Sequence, residues 1–518
     1  MRALFVLATP EYFRYYESVI HLLAERGHHV LIATNRQNPK KPGLSGLGWQ
    51  HPRVEFAGDV PRRGDAWEGI ARGLRGIVDF SRYLEPRYRS ASALRDRMQR
   101  KSLPAAFQWL NWLPSLPPWL LRPWLRVLEA CEEAIPPSEA ITTFVQGLDV
   151  SAVFVSPLVD FGADQVDTVK SAHRLGLPVA ACIASWDNLT NKGLMRVVPE
   201  RVCVWNAKQV DEAVEMHGVP AERVTVTGAQ LFDRWFSQRP TTTRDEFCAL
   251  HGFDPAHPIV LYTCSSSFIA PAAREVAFVR KWLQDLRTDS RIGHVNVLVR
   301  PHPYNVWDWE TADLTALGPV SIAPRRAYDP LADTVRDGYF DALFHSAAVV
   351  GVNTSAMIEA AILGRPVLSI LAPEFAATQE GTLHFRHLLP ENGGFLQLAR
   401  TLVEHRPQLV SAVLEPALWQ ERTARFVDTF IRPHGRERPC TPILADCLEQ
   451  VPALAPSPDR SRAPMAMLVR GCVRVVAAAA WPIEELASEK PFGTLRKQLR
   501  KSWHQRRKEM GRVVKRWT

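Results

Sequence analysis

The stretch Ala347–Leu371, AAVVGVNTSAMIEAAILGRPVLSIL, reads as one strand–turn–helix–turn–strand unit. Ala347 to Val352 is an apolar run, the pattern of a buried strand. Asn353, Thr354 and Ser355 follow, and all three residue types are favoured as helix N-caps. The helix they open spans roughly Ser355 to Leu363, and Gly364 supplies the left-handed stop. Arg365-Pro366 then launches a second apolar strand, Val367 to Leu371. Such a unit puts the three polar residues at a strand's carboxyl end and a helix's amino end. Unpaired N–H groups and the helix dipole favour an anion there, typically a phosphate. Glu359 lies four residues after Ser355 and shares its face. A carboxylate one turn below a phosphate site suits a ribose diol. Taken alone, the same residues read as a cap and a solvated glutamate.

Outward from this unit the chain repeats the same alternation. Ala3–Thr9, His29–Thr34, Val150–Pro157, Val179–Ser185, Arg201–Asn206 and Val224–Thr227 read as strands, with Val54–Ala57 as one more. Helical stretches such as Tyr15–Arg26, Asp164–Leu175 and Ala207–His217 separate them. A second series opens at Ile259–Thr263 and continues through Val295–Val299 and Val320–Ala323. The spacing predicts two doubly wound α/β domains. The first turn, Thr9-Pro10-Glu11-Tyr12, lacks GxGxxG, so no NAD or FAD is expected. Glu11 there reads as first-turn helix charge.

Ligands of open α/β sheets bind at the strands' carboxyl ends, so the loops there are the candidates. Ser185–Gly193 (SWDNLTNKG) is dense in polar groups, and its Asp187 suits a general base toward an acceptor hydroxyl. The alternative for Asp187 is an Asx turn or cap. Cys264-Ser265-Ser266-Ser267 offers small residues that let backbone N–H groups approach phosphate, or a plain turn. Arg300-Pro301-His302-Pro303 combines a phosphate fork with an imidazole held by two stiff prolines.

These motifs carry a resemblance. The Ala347–Leu371 unit looks like the donor-binding motif of GT-B-fold glycosyltransferases. It is also similar to the nucleotide-sugar 2-epimerases and CDP-glycerol glycerophosphotransferases, whose C-terminal domain has a small-polar turn, a Glu-Ala helix, then Gly-Arg/Lys-Pro-Val. Arg300–Pro303 resembles their Lys/Arg-x-His-Pro element. The paired-glutamate form of many retaining enzymes is absent: position 366 is Pro and Glu359 stands alone. The resemblance implies a nucleotide-activated donor held by Ser265, Ser266, Arg300, His302, Asn353, Thr354, Ser355 and Glu359. By position it also implies Gln379 and Glu380 against donor-sugar hydroxyls, with His384 a further candidate. It implies no bound metal and no separate cofactor, since no DxD-like motif is present.

The net charge of +9 divides unevenly. Ala453–Thr518 holds 15 Lys and Arg against 5 Asp and Glu, which leaves the body close to neutral. Ala453–Pro464 reads as a linker, and the segment beyond it as a basic amphipathic tail. Anionic lipid attracts such a tail, as nucleic acid would, and a neutral body without a nucleic-acid motif favours lipid. A solubilising tail is the alternative. Leu103–Ala130 interleaves Trp109, Trp112, Trp119 and Trp124 with leucine and proline, fitting either a membrane interface or a packed hairpin. The eight cysteines form no CxxC pair, which suggests thiols of a reducing compartment. No signal peptide or spanning segment is apparent, so a cytoplasmic protein, peripheral at the inner face of the membrane, is expected.

The expected architecture is therefore two Rossmann-like domains facing a cleft, 1–235 for the acceptor and 236–450 for the donor. A helical basic tail, 451–518, follows. The expected chemistry is sugar transfer to a hydroxyl on a glycan or lipid-linked acceptor, with Asp187 and His302 as catalytic candidates. A glycerophosphotransferase-like enzyme is a rival, although the His-Gly pair usual in its first domain has only a poor match here, His217-Gly218 at the end of a helix. A 2-epimerase and a non-catalytic scaffold are the others.

Overall fold

The computed structural model describes residues 1–35, 51–162, 164–326 and 332–473. Two parallel sheets organise them. The first has seven strands: β1 (Arg2–Leu7), β2 (His29–Thr34), β3 (Val54–Asp59), β4 (Ala152–Ser156), β5 (Val179–Cys182), β6 (Arg201–Val204) and β7 (Val224–Val226). The second has six: β8 (Ile259–Thr263), β9 (Asn296–Arg300), β10 (Val320–Ile322), β11 (Ala348–Gly351), β12 (Val367–Ile370) and β13 (Gln397–Ala399). Their orders are β3-β2-β1-β4-β5-β6-β7 and β10-β9-β8-β11-β12-β13. Each chain path starts mid-sheet, runs to one edge, then returns and runs to the other. The switch points fall between β1 and β4 and between β8 and β11, where a ligand crevice is expected.

The unbroken apolar runs follow from burial on both faces. Ala3, Phe5 and Leu7 enter one core, whereas Leu4 and Val6 enter the opposite one. Helices cover both sides of each sheet. The Ala347–Leu371 unit folds as read: β11, a helix at Ala356–Ile362, and β12, with Gly364 left-handed at φ +68°.

Two features add to the expected division. The helix Cys440–Glu449, assigned by sequence to the second domain, packs its Leu444, Ala445 and Leu448 against the first sheet. Asp233 holds its start, accepting N–H bonds from Cys440 (3.0 Å) and Thr441 (2.6 Å) and pairing with Arg432 (2.9 Å). Gly228 permits the crossing. It sits at φ +79°, and a Cβ there would lie 2.2 Å from the Cys440 sulfur. The second feature is the helical segment between β3 and β4. The helices Glu68–Arg82 and Pro118–Ala134 are joined to Gln165–Arg174 by a buried network of Arg75, Glu132, Asp167, Lys170 and Arg63. Pro123 lies inside the Pro118–Ala134 helix rather than ending it, on a stretch that is exposed to water. Most of the basic tail, 474–518, lies outside the described residues.

Candidate functional site

The carboxyl ends of the two sheets face each other across a cavity of about 320 Å³. From the first sheet's side come Arg14 in the first turn after β1, Ser185 and Trp186 after β5, and Arg234. From the second come Arg300 and His302 after β9, Thr354, Ser355 and Glu359 after β11, and Tyr339. The Trp186 Nε1–H donates to the Ser355 hydroxyl (3.1 Å), a bond from one domain to the other. Ser355 starts its helix without capping it; its oxygen is taken by that indole.

Glu359 is the electrostatic centre. Burial pushes its carboxyl up to about 7, against a hydrogen bond from the Tyr339 hydroxyl and the fields of Arg14, Arg234 and Arg300. The Arg300 guanidinium lies over the Tyr339 ring, 4.8 Å from its centroid. Three guanidiniums around one half-ionised carboxyl leave the cavity net positive, the condition for holding an anion. His302 is held down to about 4 by burial and by Arg14, so its ring is neutral at neutral pH. Its Nδ1 accepts the Tyr304 N–H (3.3 Å), which leaves the proton on Nε2.

Beside the cavity, the Ser185–Gly193 loop builds a second polar cluster. The Ser185 hydroxyl donates to Asp187 (2.7 Å), and the Lys192 ammonium pairs with Asp160 (2.9 Å) after β4. Burial opposes charge on Asp187, but His384, Lys192, the Ser185 hydroxyl and Arg97 together hold its carboxyl below the usual range. The alternative role as a cap is not what this side chain does: Asn188 instead accepts the Ala184 and Ser185 N–H groups. The loop is fixed from behind by the Glu68–Arg82 helix. Arg82 donates to the carbonyls of Leu189, Lys192 (3.2 Å) and Gly193 (3.0 Å), and Asp79 accepts the Leu194 N–H (2.8 Å). Gly193 is required by that closeness, since a Cβ would meet the Asp79 carboxylate at 2.4 Å.

Of the residues expected from sequence, Arg300, His302, Thr354, Ser355 and Glu359 line one cavity, and Asp187 adjoins it through Ser185. Six others lie outside its lining. Asn353 is buried and donates to the Thr378 carbonyl (2.8 Å), holding the following loop. Ser265 is buried with its N–H on the Glu275 carboxyl (3.0 Å), and the Ser266 carbonyl closes a turn with Ile269 and Ala270. Gln379 spends its amide on the carbonyls of Val352 and Ile370 (both 3.0 Å) and on Ser369. Glu380 is exposed and pairs with Arg400 (3.4 Å). His384 is buried between Asn191 (2.6 Å) and Asn353 (3.4 Å), against the edge of the Trp186 ring. Sequence reasoning missed Arg14, Arg234 and Tyr339. The first had a signal, its place one turn after the switch-point strand; the other two lie on helices remote in sequence.

Two facing, all-parallel Rossmann-like domains, with a late helix returning to the first and a cavity between the strand ends, define the GT-B fold. A solved structure shares it. The chain is similar to MnaA of S. aureus in its complex with UDP, at 10% identity and a TM-score of 0.50, over 88% of this chain and 99% of that one. A UDP-GlcNAc 2-epimerase from Neisseria meningitidis, bound to UDP-GlcNAc, matches at 13% identity and a TM-score of 0.47, over 87% and 100%. A glycosyltransferase from Rickettsia africae matches at 9% identity and 0.48, over 87% and 98%. No family model matches the chain, and no curated protein matches it in sequence.

Proposed function

We propose that the cleft binds a nucleoside-diphosphate-activated donor and that the protein transfers the donor's sugar, or a related group, to an acceptor hydroxyl. The observation that carries this reading is the convergence of Arg14, Arg234 and Arg300 on Glu359 in one interdomain cavity. Arg300 and Arg14, with the Thr354 and Ser355 hydroxyls, hold the diphosphate, and Glu359 accepts from the ribose diol. The acceptor lies on the first domain, beside Asp187, Asp160 and Lys192. Its oxygen bonds to the anomeric carbon as the bond from that carbon to the diphosphate oxygen breaks. The acceptor proton passes to Asp187, and the nucleoside diphosphate leaves with the electron pair. The cationic cavity stabilises the charge that develops on it. The nearby neutral His302 serves as a hydrogen-bond donor rather than a proton shuttle. The product is a cell-surface glycan or glycolipid.

Product analysis with a panel of nucleotide-linked donors tests this. Release of nucleoside diphosphate that depends on a hydroxyl acceptor is the expected result. Release of CMP from a CDP-linked donor would establish glycerophosphate transfer instead, and an isomerised, intact nucleotide sugar would establish epimerisation.

The Glu359 carboxyl gives a pH signature. A diol donates best to the ionised form, so nucleotide affinity should rise with pH through about 7 and level off above it. Below that point it should fall by up to about tenfold per pH unit. Calorimetric titration of wild type and Glu359→Gln checks this. The glutamine variant should bind more weakly and lose this dependence, leaving only the slope that the nucleotide's own phosphate contributes.

A further inference from the structure

Large apolar side chains left in water concentrate on one edge of the first domain. Trp112 is 86% exposed and Trp119 70%, and Val127 continues the same row along the Pro118–Ala134 helix. The helix does not need them for packing, because its opposite face buries Leu121 and Leu128 in the core. Three more exposed apolar residues, Met465, Met467 and Leu468, lie on the segment that packs against the far end of that helix. Arg470 donates to the Ala134 carbonyl (2.9 Å) and Arg460 pairs with Glu133 (2.6 Å), which ties that segment to the end of the helix.

Charge identifies the occupant. Arg122 and Arg126 stand exposed on the same helix as Trp119. The chain that continues from the edge, Arg474–Thr518, carries 12 Lys and Arg against 4 Asp and Glu. Tryptophan at an interface with basic residues around it matches the headgroup region of an anionic bilayer, where the indole is half in apolar surroundings. No described helix is long and apolar enough to cross a membrane. We propose that this edge docks on an anionic lipid bilayer, with Trp112 and Trp119 entering the interface and the basic groups meeting the headgroups. The Glu68–Arg82 helix lies behind the edge and holds the Leu189–Gly193 backbone beside Asp187. The docking itself does not depend on the transfer chemistry.

The test is co-sedimentation of the full-length protein with phosphatidylcholine vesicles, with and without phosphatidylglycerol. The protein should pellet with the anionic vesicles, be released by salt, and show tryptophan fluorescence quenched by brominated lipid. Trp112→Ser combined with Trp119→Ser should weaken partitioning by at least about tenfold while leaving the melting temperature unchanged. Absence from the anionic pellet would overturn the proposal. So would full binding by the double variant without lipid quenching, which would assign the attraction to the tail alone. Binding to duplex or single-stranded DNA with none to vesicles would do the same. Loss of nucleotide binding in a separate assay would sink the transfer reading and leave this one standing.

Discussion

Arg75→Ala is expected to destabilise the protein by about 3–5 kcal/mol, the cost of leaving buried charges without their partner. Arg75 is 3% exposed and donates to Glu132 (2.9 and 3.0 Å) and to both oxygens of Asp167 (2.8 Å each). Without it two buried carboxylates face each other with only Lys170 and Arg63 to answer them. Chemical denaturation should show a lower midpoint with an unchanged slope. A variant with several network members replaced by apolar residues of like volume should lose much less, because the burial penalty vanishes along with the attraction. The network also sets an acid limit. Burial opposes the Asp167 charge, but Arg75, Arg63 and Lys170 outweigh it and hold the carboxyl down to about 2. Its contribution is complete above the ordinary carboxylate value and is lost as the pH falls through about 2. The consequence reaches the site, because the Glu68–Arg82 helix that carries Arg75 also carries Arg82 and Asp79, which fix the loop beside Asp187.

Asp187→Asn is expected to lower the transfer rate by about 10²–10⁴, the usual loss for a positioned general base. The substitution keeps the shape and can keep the Ser185 hydrogen bond through the amide oxygen, so the fold should be unaffected. Nucleotide binding should persist, because Asp187 adjoins the cavity without lining it. Retained binding with lost turnover separates proton transfer from donor recognition. A full rate in Asp187→Asn would move the base to another group, with Asp160 the nearest candidate through its pairing with Lys192.

Much of this architecture was legible in the sequence. Strands buried on both faces announce themselves as apolar runs, and Gly364 and the loop after β9 stand where a parallel fold requires turns. The expected residues that line the cavity, Arg300, His302, Thr354, Ser355 and Glu359, all stand at or just after strand ends near the switch point, where the loops open toward the crevice. Two of the expected residues lie outside the cavity for the same physical reason. Asn353 and Gln379 are polar side chains in the right loops, yet they are buried to satisfy backbone carbonyls that the loops leave unpaired. A sequence does not distinguish an amide turned inward from one offered to a ligand. Arg234 and Tyr339 fail in the opposite way. They belong to helical turns with no local signature: the packing of two helices within the second domain brings Tyr339 to Glu359, and the meeting of the two domains brings Arg234. The bounds 236–450 take in Cys440–Glu449 because they follow order along the chain, whereas the helix packs on the first sheet. The Asp233 anchor that decides the matter is distant in sequence.

The central claim is that this cleft holds a nucleoside diphosphate at Glu359 and Arg300. The most direct measurement is a thermal-shift titration of the full-length protein with UDP, CDP, GDP, ADP and dTDP. A ligand bound only by the native state stabilises it by about 2.7 kcal/mol at one hundred times its Kd. One nucleotide should raise the melting temperature, and the rise should disappear in Glu359→Ala and Arg300→Ala but survive in Glu380→Ala, which lies outside the cavity. No shift with any of the five, or a shift that Glu359→Ala and Arg300→Ala leave intact, would contradict the account.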